Sequence, residues 1–122
     1  MGKDRPVILL IEDYENAAHI SQMALERAGC AVRTASTLAE AGRVLQACGP
    51  VDAVVVDDGD GSQLVSALRS LTDVPALVLS SGGTYPRGCV HSLKKPFRLD
   101  ELCGELNALL QEGRKNKEVS GT

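Results

Sequence analysis

The sequence predicts an α/β domain with a doubly wound parallel sheet. Three observations predict it. Short apolar runs without polar alternation recur along the chain, as in strands buried on both faces. Helical patterns, with apolar residues three and four apart, separate most of them. Several runs end abruptly in carboxylates, hydroxyls or glycines. The plainest case is Asp52-Ala-Val-Val-Val-Asp57-Asp58-Gly59-Asp60-Gly61, where β-branched residues give way to acids and tight-turn glycines. In an open α/β sheet, the carboxyl end of the strands is where ligands bind.

Val7 to Ile11 follows Pro6 as a buried strand and ends in Glu12 and Asp13. Glu15 to Ala28 is a predicted helix with Ala18, Met23, Ala24 and Ala28 as its apolar positions, Ile20 and Leu25 beside them, and Gly29 as its stop. Cys30 to Ala35 alternates as a short second strand. Ser36 or Thr37 caps a second helix carrying Leu38, Ala41, Val44 and Leu45, which Gly49-Pro50 ends. The Asp52 to Asp57 strand follows. Leu64, Val65, Leu68 and Leu71 mark a further helix, and Pro75 to Leu79 a fourth strand ending in Ser80-Ser81-Gly82-Gly83. No period is visible from Gly82 to Gly88. Cys89 to Leu93 is a weak fifth strand, followed by Lys94-Lys95-Pro96-Phe97. Leu99, Leu102, Leu106, Leu109 and Leu110 make the clearest amphipathic helix, with Asp100 and Glu101 in its first turn where the helix dipole favours them. Residues 1–112 are thus expected to form one domain, and 113–122 a polar tail or linker.

Composition narrows the function. The 122 residues suit one domain, and 43% apolar residues suffice for a core that Val, Leu, Ile and Ala must fill, since aromatics are 2%. A net charge of −3 argues against bulk phosphate neutralisation on nucleic acid. No apolar stretch spans a membrane, and the N-terminus has no signal-peptide core. Cys30, Cys48, Cys89 and Cys103 have no C-x-x-C spacing, so reduced cytoplasmic thiols are expected rather than a zinc site.

The predicted sheet gathers Glu12 and Asp13, Asp57 and Asp58, Ser80 and Lys95 at one edge. Converging carboxylates repel unless a cation sits among them. A hard divalent cation such as Mg²⁺ takes carboxylate and carbonyl oxygens. Lysine and a hydroxyl can hold a phosphate-like group. Together these are the parts for phosphoryl transfer, in which a carboxylate can itself be the nucleophile.

The acidic pair Glu12-Asp13 after the first strand, the run Asp52 to Asp57, Pro75 to Ser80, and Lys95-Pro96-Phe97 before a leucine-rich helix resemble the receiver domain of two-component response regulators. The resemblance runs from about Pro6 to Leu110. It implies the flavodoxin-like fold, a five-stranded parallel sheet of order 2-1-3-4-5. It matches Asp57 to the phosphoacceptor, and Glu12, Asp13, Asp57 and the carbonyl of Gly59 to the Mg²⁺ site. It matches Ser80 to the switch hydroxyl and Lys95 to the phosphate-contacting lysine, while Lys94 falls on a variable position. The implied role is signal transduction in the cytoplasm, with Asp57 phosphorylated by a histidine kinase or a small phosphodonor. The implied chain is regulatory rather than enzymatic, at most assisting its own phosphorylation and dephosphorylation. A downstream protein partner or a dimer is compatible with it, direct nucleic-acid or membrane binding is not expected, and no output domain follows within 122 residues. A single-domain regulator or a fragment of a larger hybrid protein is therefore expected.

Three departures mark this chain. The turn after Asp57 is shorter than the family's and lacks its Met-Pro. Ser81 to Cys89 is too short and too rich in Gly and Pro for the family's fourth helix, which is expected to be reduced to a loop. Ser92 stands where the family carries Tyr or Phe, three positions before the lysine.

Each assignment has a plainer rival. Asp57 alone would read as a helix cap; the register of Glu12, Asp13, Ser80 and Lys95 favours the phosphoacceptor. Asp58 falls one step further along and ranks below it. Ser81 could merely support the turn, and Lys95 could be a solvated surface lysine. A calcium loop at Asp57 to Gly61 fails on spacing, with Leu68 where the bidentate Glu belongs. A Mg²⁺-dependent phosphatase fails because Gly59 stands where the acid–base aspartate belongs. Tyr85 and Arg87 form a candidate ligand or partner loop, with a stacking face and a bidentate anion donor, set against the plainer reading of a surface loop. His19 and His91 read as structural or solvent-facing. The rival function is a pseudo-receiver, a non-phosphorylated module binding a protein or a nucleotide such as a cyclic dinucleotide.

Overall fold

The computed structural model describes residues 5–12, 15–57, 70, 72–80, 91–95 and 97–121; for 15–17, 57, 80 and 112–121 it describes the backbone alone. Five strands, β1 (Val7–Ile11), β2 (Ala31–Ala35), β3 (Ala53–Asp57), β4 (Ala76–Ser80) and β5 (His91–Lys94), form one sheet in the order β2-β1-β3-β4-β5. All four pairings are parallel. The described helices are α1 (Glu15–Arg27), α2 (Leu38–Cys48) and α3 (Leu99–Gly121). This is the flavodoxin-like order expected from the resemblance.

The unalternated apolar runs fold as strands because both faces of the sheet are covered. Ile8, Leu10, Ala53, Val55, Leu77 and Leu79 pack with Leu25 of α1 and Leu102, Leu106 and Leu109 of α3. Leu9, Ile11, Val54, Val56 and Ala76 pack on the other face with Ala41 of α2, flanked by Leu38, Val44 and Leu45. The side-chain period of two therefore sends alternate residues of β1 and β3 into two separate cores.

Helix ends are specified locally. Thr37 Oγ1 accepts from the Glu40 N–H at 3.1 Å. Glu40 Oε1 accepts from the Ser36 N–H at 2.6 Å and the Ser36 hydroxyl at 2.8 Å. This reciprocal arrangement satisfies donors that the first turn of α2 leaves open. The Ser36 hydrogen bonds hold the Glu40 carboxyl below its ordinary range, the backbone donor foremost. Gly29 and Gly49 terminate α1 and α2 at φ +97° and +84°, a conformation only glycine adopts without steric cost.

Two expectations change. Met23 and Ile20 lie on the outer side of α1, with Ile20 69% and Met23 44% exposed. The inward stripe is instead Ser21 and Leu25, with Ala18, Ala24 and Ala28 half-buried. At 3.6 residues per turn, Met23 stands roughly 140° around the helix from Ala18. The small hydroxyl of Ser21 occupies the buried position that hydropathy assigns elsewhere. Further on, the polar stretch 113–121 continues α3 rather than leaving the helix. Gln111, Glu112, Arg114, Lys115, Lys117 and Glu118 are good helix formers, and a helix already nucleated over Leu99–Leu110 extends through them cheaply. The helix expected around Leu64–Leu71 and the loop expected in place of a fourth helix at 81–89 lie outside the described residues.

One cysteine illustrates the packing. Cys30 is buried in the α1–α3 core. Burial, with the nearby charges of Cys103 and Asp52 adding to it, pushes its thiol up, which leaves it a protonated core filler.

Gly104 lies in α3 with a helical backbone and no atom within 4 Å of an added Cβ. Gly104→Ala is expected to stabilise the domain by about 0.5–1 kcal/mol, because alanine loses less backbone entropy on entering the helix. A higher urea midpoint at unchanged m-value is the expected reading; an unchanged or lower midpoint would show that the exposed face of α3 is covered.

Candidate functional site

Parallel strands bring all their carboxyl ends to one edge. β1 delivers Glu12, β3 ends on Asp57, β4 ends on Ser80, and β5 ends on Lys94 with Lys95 next. The register orders them in depth. Ile11 pairs Val56, Val56 pairs Val78, and Val78 pairs Ser92 in one row. Asp57 pairs Leu79 one step further out, and Ser80 pairs Lys94 one step beyond that. Adjacent strands are about 4.8 Å apart, so these backbone positions fall within a few neighbouring strands of one another.

Glu12 is buried, 8% exposed, although it follows the last residue of β1. Its N–H donates to the Ala35 carbonyl at 3.0 Å, which extends the β1–β2 ladder by one residue and fixes it at the edge. A buried carboxylate is costly unless it is compensated, and Glu12 is not without a partner. Lys95 is half-buried and likewise engaged. Phe97 packs against the α1–α3 core two residues later, and α3 begins at Leu99. The segment carrying Lys95 is thus held between β5 and a partly buried aromatic. The start of α3 is closed by the Arg98 N–H, which donates to Glu101 Oε1 at 2.7 Å. The exposed Arg98–Asp100 contact at 3.4 Å adds little.

The opposite edge is organised as well. The Asp52 N–H donates to the Val7 carbonyl at 2.7 Å, and Asp52 Oδ2 accepts from the Val7 N–H at 2.7 Å. This double clamp sets the β1–β3 register, which in turn brings Glu12 alongside the end of β3. In the sequence Asp52 reads only as the start of an apolar run; a carboxylate one residue before a strand is the signal that could reveal it.

Of the predicted site residues, the structure brings together Glu12, Lys95 and the backbone positions of Asp57 and Ser80. Asp13, Gly59, Tyr85 and Arg87 lie outside the described residues. Among the described residues no cluster of three or more His, Cys, Asp and Glu forms a metal site. The donor types nevertheless fit a hard cation: Glu12 is buried at the end of β1, beside the strand that ends on Asp57, and both are carboxylate residues that offer oxygen. Ser92 is half-buried in the middle of β5, in register with Val78. His91 Nδ1 lies 3.4 Å from Glu105 Oε1 and ties β5 to α3, while His19 is exposed on α1.

No family model matches the chain. The transcriptional regulatory protein KdpE of Staphylococcus aureus is 28% identical over 124 aligned positions, covering 93% of this chain and 53% of that protein. The KDP operon transcriptional regulatory protein KdpE of Escherichia coli is 30% identical over 115 positions, covering 85% and 51%. The chain therefore spans about half the length of the curated relatives it matches. The structure of Vibrio cholerae chemotaxis protein CheY4 superposes with a TM-score of 0.72 at 24% identity, covering 88% of this chain and 100% of that one.

The sheet order and this superposition define a flavodoxin-like α/β fold. Together with the two sequence relatives, this supports a response-regulator receiver domain of two-component signalling. Domains of this family are regulatory. Among the described residues no helix is long and apolar enough to cross a membrane.

Proposed function

We infer that this receiver is a phosphoacceptor, with Asp57 taking a phosphoryl group from a histidine kinase or a small phosphodonor. One observation carries the reading. The buried Glu12, the end of β3 at Asp57, the end of β4 at Ser80 and the half-buried Lys95 converge on a single edge. In the transfer, a carboxylate oxygen of Asp57 attacks phosphorus. The bond from phosphorus to the donor imidazole nitrogen breaks, and the imidazole keeps the electron pair and then takes up a proton. Glu12, Asp13, Asp57 and the Gly59 carbonyl would hold Mg²⁺, which supplies charge neutralisation for the phosphoryl oxygens. Ser80 donates its hydroxyl proton to one phosphoryl oxygen, and the Lys95 ammonium pairs with another. Because such transfer is mostly positioning and electrostatics, a rigid strand edge suits it.

The family's aromatic switch cannot operate through Ser92, so output would pass through the backbone ends of β4 and β5. The domain would signal through a protein partner in the cytoplasm; its net charge of −3 disfavours direct contact with nucleic acid. Transcriptional regulation, which the names of the two KdpE relatives carry, would then lie with other parts of a longer protein or with a partner.

The test is amide NMR with Mg²⁺ and beryllofluoride, a phosphoryl mimic, on the wild type and on Asp57→Asn. Saturable shifts around Glu12, Ser80 and Lys95 that vanish in the variant are expected. A wild type unresponsive to both reagents would overturn the reading in favour of a non-phosphorylated binding module.

A further inference from the structure

We propose that Lys94 is an electrostatic guide for anionic phosphodonors, an inference that rests on the phosphoacceptor reading of Asp57. Lys94 is the last residue of β5, is exposed, and its Cα pairs in register with Ser80. Asp57 lies two strands away and one step lower, since it pairs with Leu79, which pairs with Leu93. With strands about 4.8 Å apart and a rise of about 3.3 Å per residue, the Cα atoms of Lys94 and Asp57 are separated by roughly 10 Å. That separation is comparable to the screening length of a dilute buffer, which is about 10 Å at 0.1 M salt and longer below it.

The charge balance of the edge gives such a cation a task. Glu12 and Asp57 bring two carboxylates to this edge, with Asp13 and Asp58 next to them in the sequence, and an acidic site repels a dianionic phosphodonor before any contact forms. Among the described residues, two other cations stand close by in the chain. Lys95 is half-buried and already engaged, and Arg98 lies against Asp100 at 3.4 Å. Lys94 is exposed at the mouth of the same edge, on the residue next to the phosphate-contacting Lys95. An exposed point charge of this kind changes encounter rate rather than the chemical step. Lys94 is therefore a positioning residue for the donor, not a catalytic one.

The reaction that reports this is phosphorylation by acetyl phosphate. A carboxylate oxygen of Asp57 bonds to phosphorus, the acyl oxygen–phosphorus bond breaks, and acetate leaves with the electron pair. Initial rates are measured at subsaturating donor and fixed excess Mg²⁺ for the wild type, Lys94→Gln, Lys94→Glu and Lys94→Arg, from about 10 mM to 500 mM salt. Coulomb attraction between unit and double charges at about 10 Å in water corresponds to a few-fold in rate before screening. Lys94→Gln is expected to slow the low-salt rate about threefold, Lys94→Glu more, and Lys94→Arg not at all, with the four curves converging at high salt. Equal rates at low salt would overturn the proposal. So would a deficit that persists undiminished at high salt, since that marks a contact or a folding defect rather than guidance. A wild type that takes no phosphate removes the phosphoacceptor reading and this inference together. A phosphorylated wild type with indifferent Lys94 variants removes this inference alone.

Discussion

Asp57→Asn is expected to abolish covalent phosphate incorporation, by at least about 10³-fold, while leaving the fold intact. The amide keeps the size of the carboxylate but not its nucleophilic oxygen, so the bond-forming step is lost rather than slowed. Asp57 closes β3, whose apolar residues Val54, Val55 and Val56 are fully buried and set the strand's place without it. Phosphate retained after incubation with acetyl phosphate and Mg²⁺, read by intact mass, is the measurement. Asp58→Asn provides the internal contrast and is expected to keep incorporation within about twofold, because Asp57 is the residue that the register aligns with Leu79 at the end of β3. If Asp58→Asn lost incorporation and Asp57→Asn kept it, the nucleophile would be the neighbouring residue and the depth order of the edge would need revision.

Leu106→Ala is expected to destabilise the domain by about 2–5 kcal/mol. Leu106 is 2% exposed and sits between Leu102 and Leu109 on the stripe that fastens α3 over the sheet. Truncating its side chain to a methyl loses apolar burial and leaves a void that the rigid sheet below fills poorly. Domains of this size are stable by only about 5–15 kcal/mol, so the loss is a large fraction of the total. Urea unfolding would show a lower midpoint with an unchanged m-value. Ile20→Ala is the matched control. Ile20 is 69% exposed on the outer side of α1, and its truncation is expected to change stability by less than about 0.5 kcal/mol. A large cost at Ile20 would mean that its side chain is covered rather than exposed.

That pattern shows where local reading stops. β1, β3 and β4 are legible because runs such as Val54-Val55-Val56 have no polar alternation, which only a doubly covered strand tolerates. α2 is legible because Leu38, Ala41, Val44 and Leu45 share one face, and they do pack in the second core. For α1 the sequence places the helix and most of its inner face, Leu25 with Ala18, Ala24 and Ala28, but adds Met23 and Ile20, which are exposed. Its stripe is built on Ser21 and Leu25 with alanines, and a buried serine leaves no mark in a hydropathy period. The polar end of α3 reads as a tail from composition, although its residues favour helix once the leucine stripe has nucleated one.

For the candidate site the division is similar. The chemical groups are legible from the chain alone: acids where the first and third strands end, a hydroxyl where the fourth ends, and a lysine after the fifth. Their order also carries the family resemblance. The burial of Glu12, the Asp52–Val7 clamp that sets β1 against β3, and the level of Ser80 with Lys94 rather than with Asp57 emerge only when distant strands meet. The reason is physical. Side-chain periodicity and turn chemistry are encoded within a few residues, whereas sheet order and register are set by packing and hydrogen bonds between strands tens of residues apart.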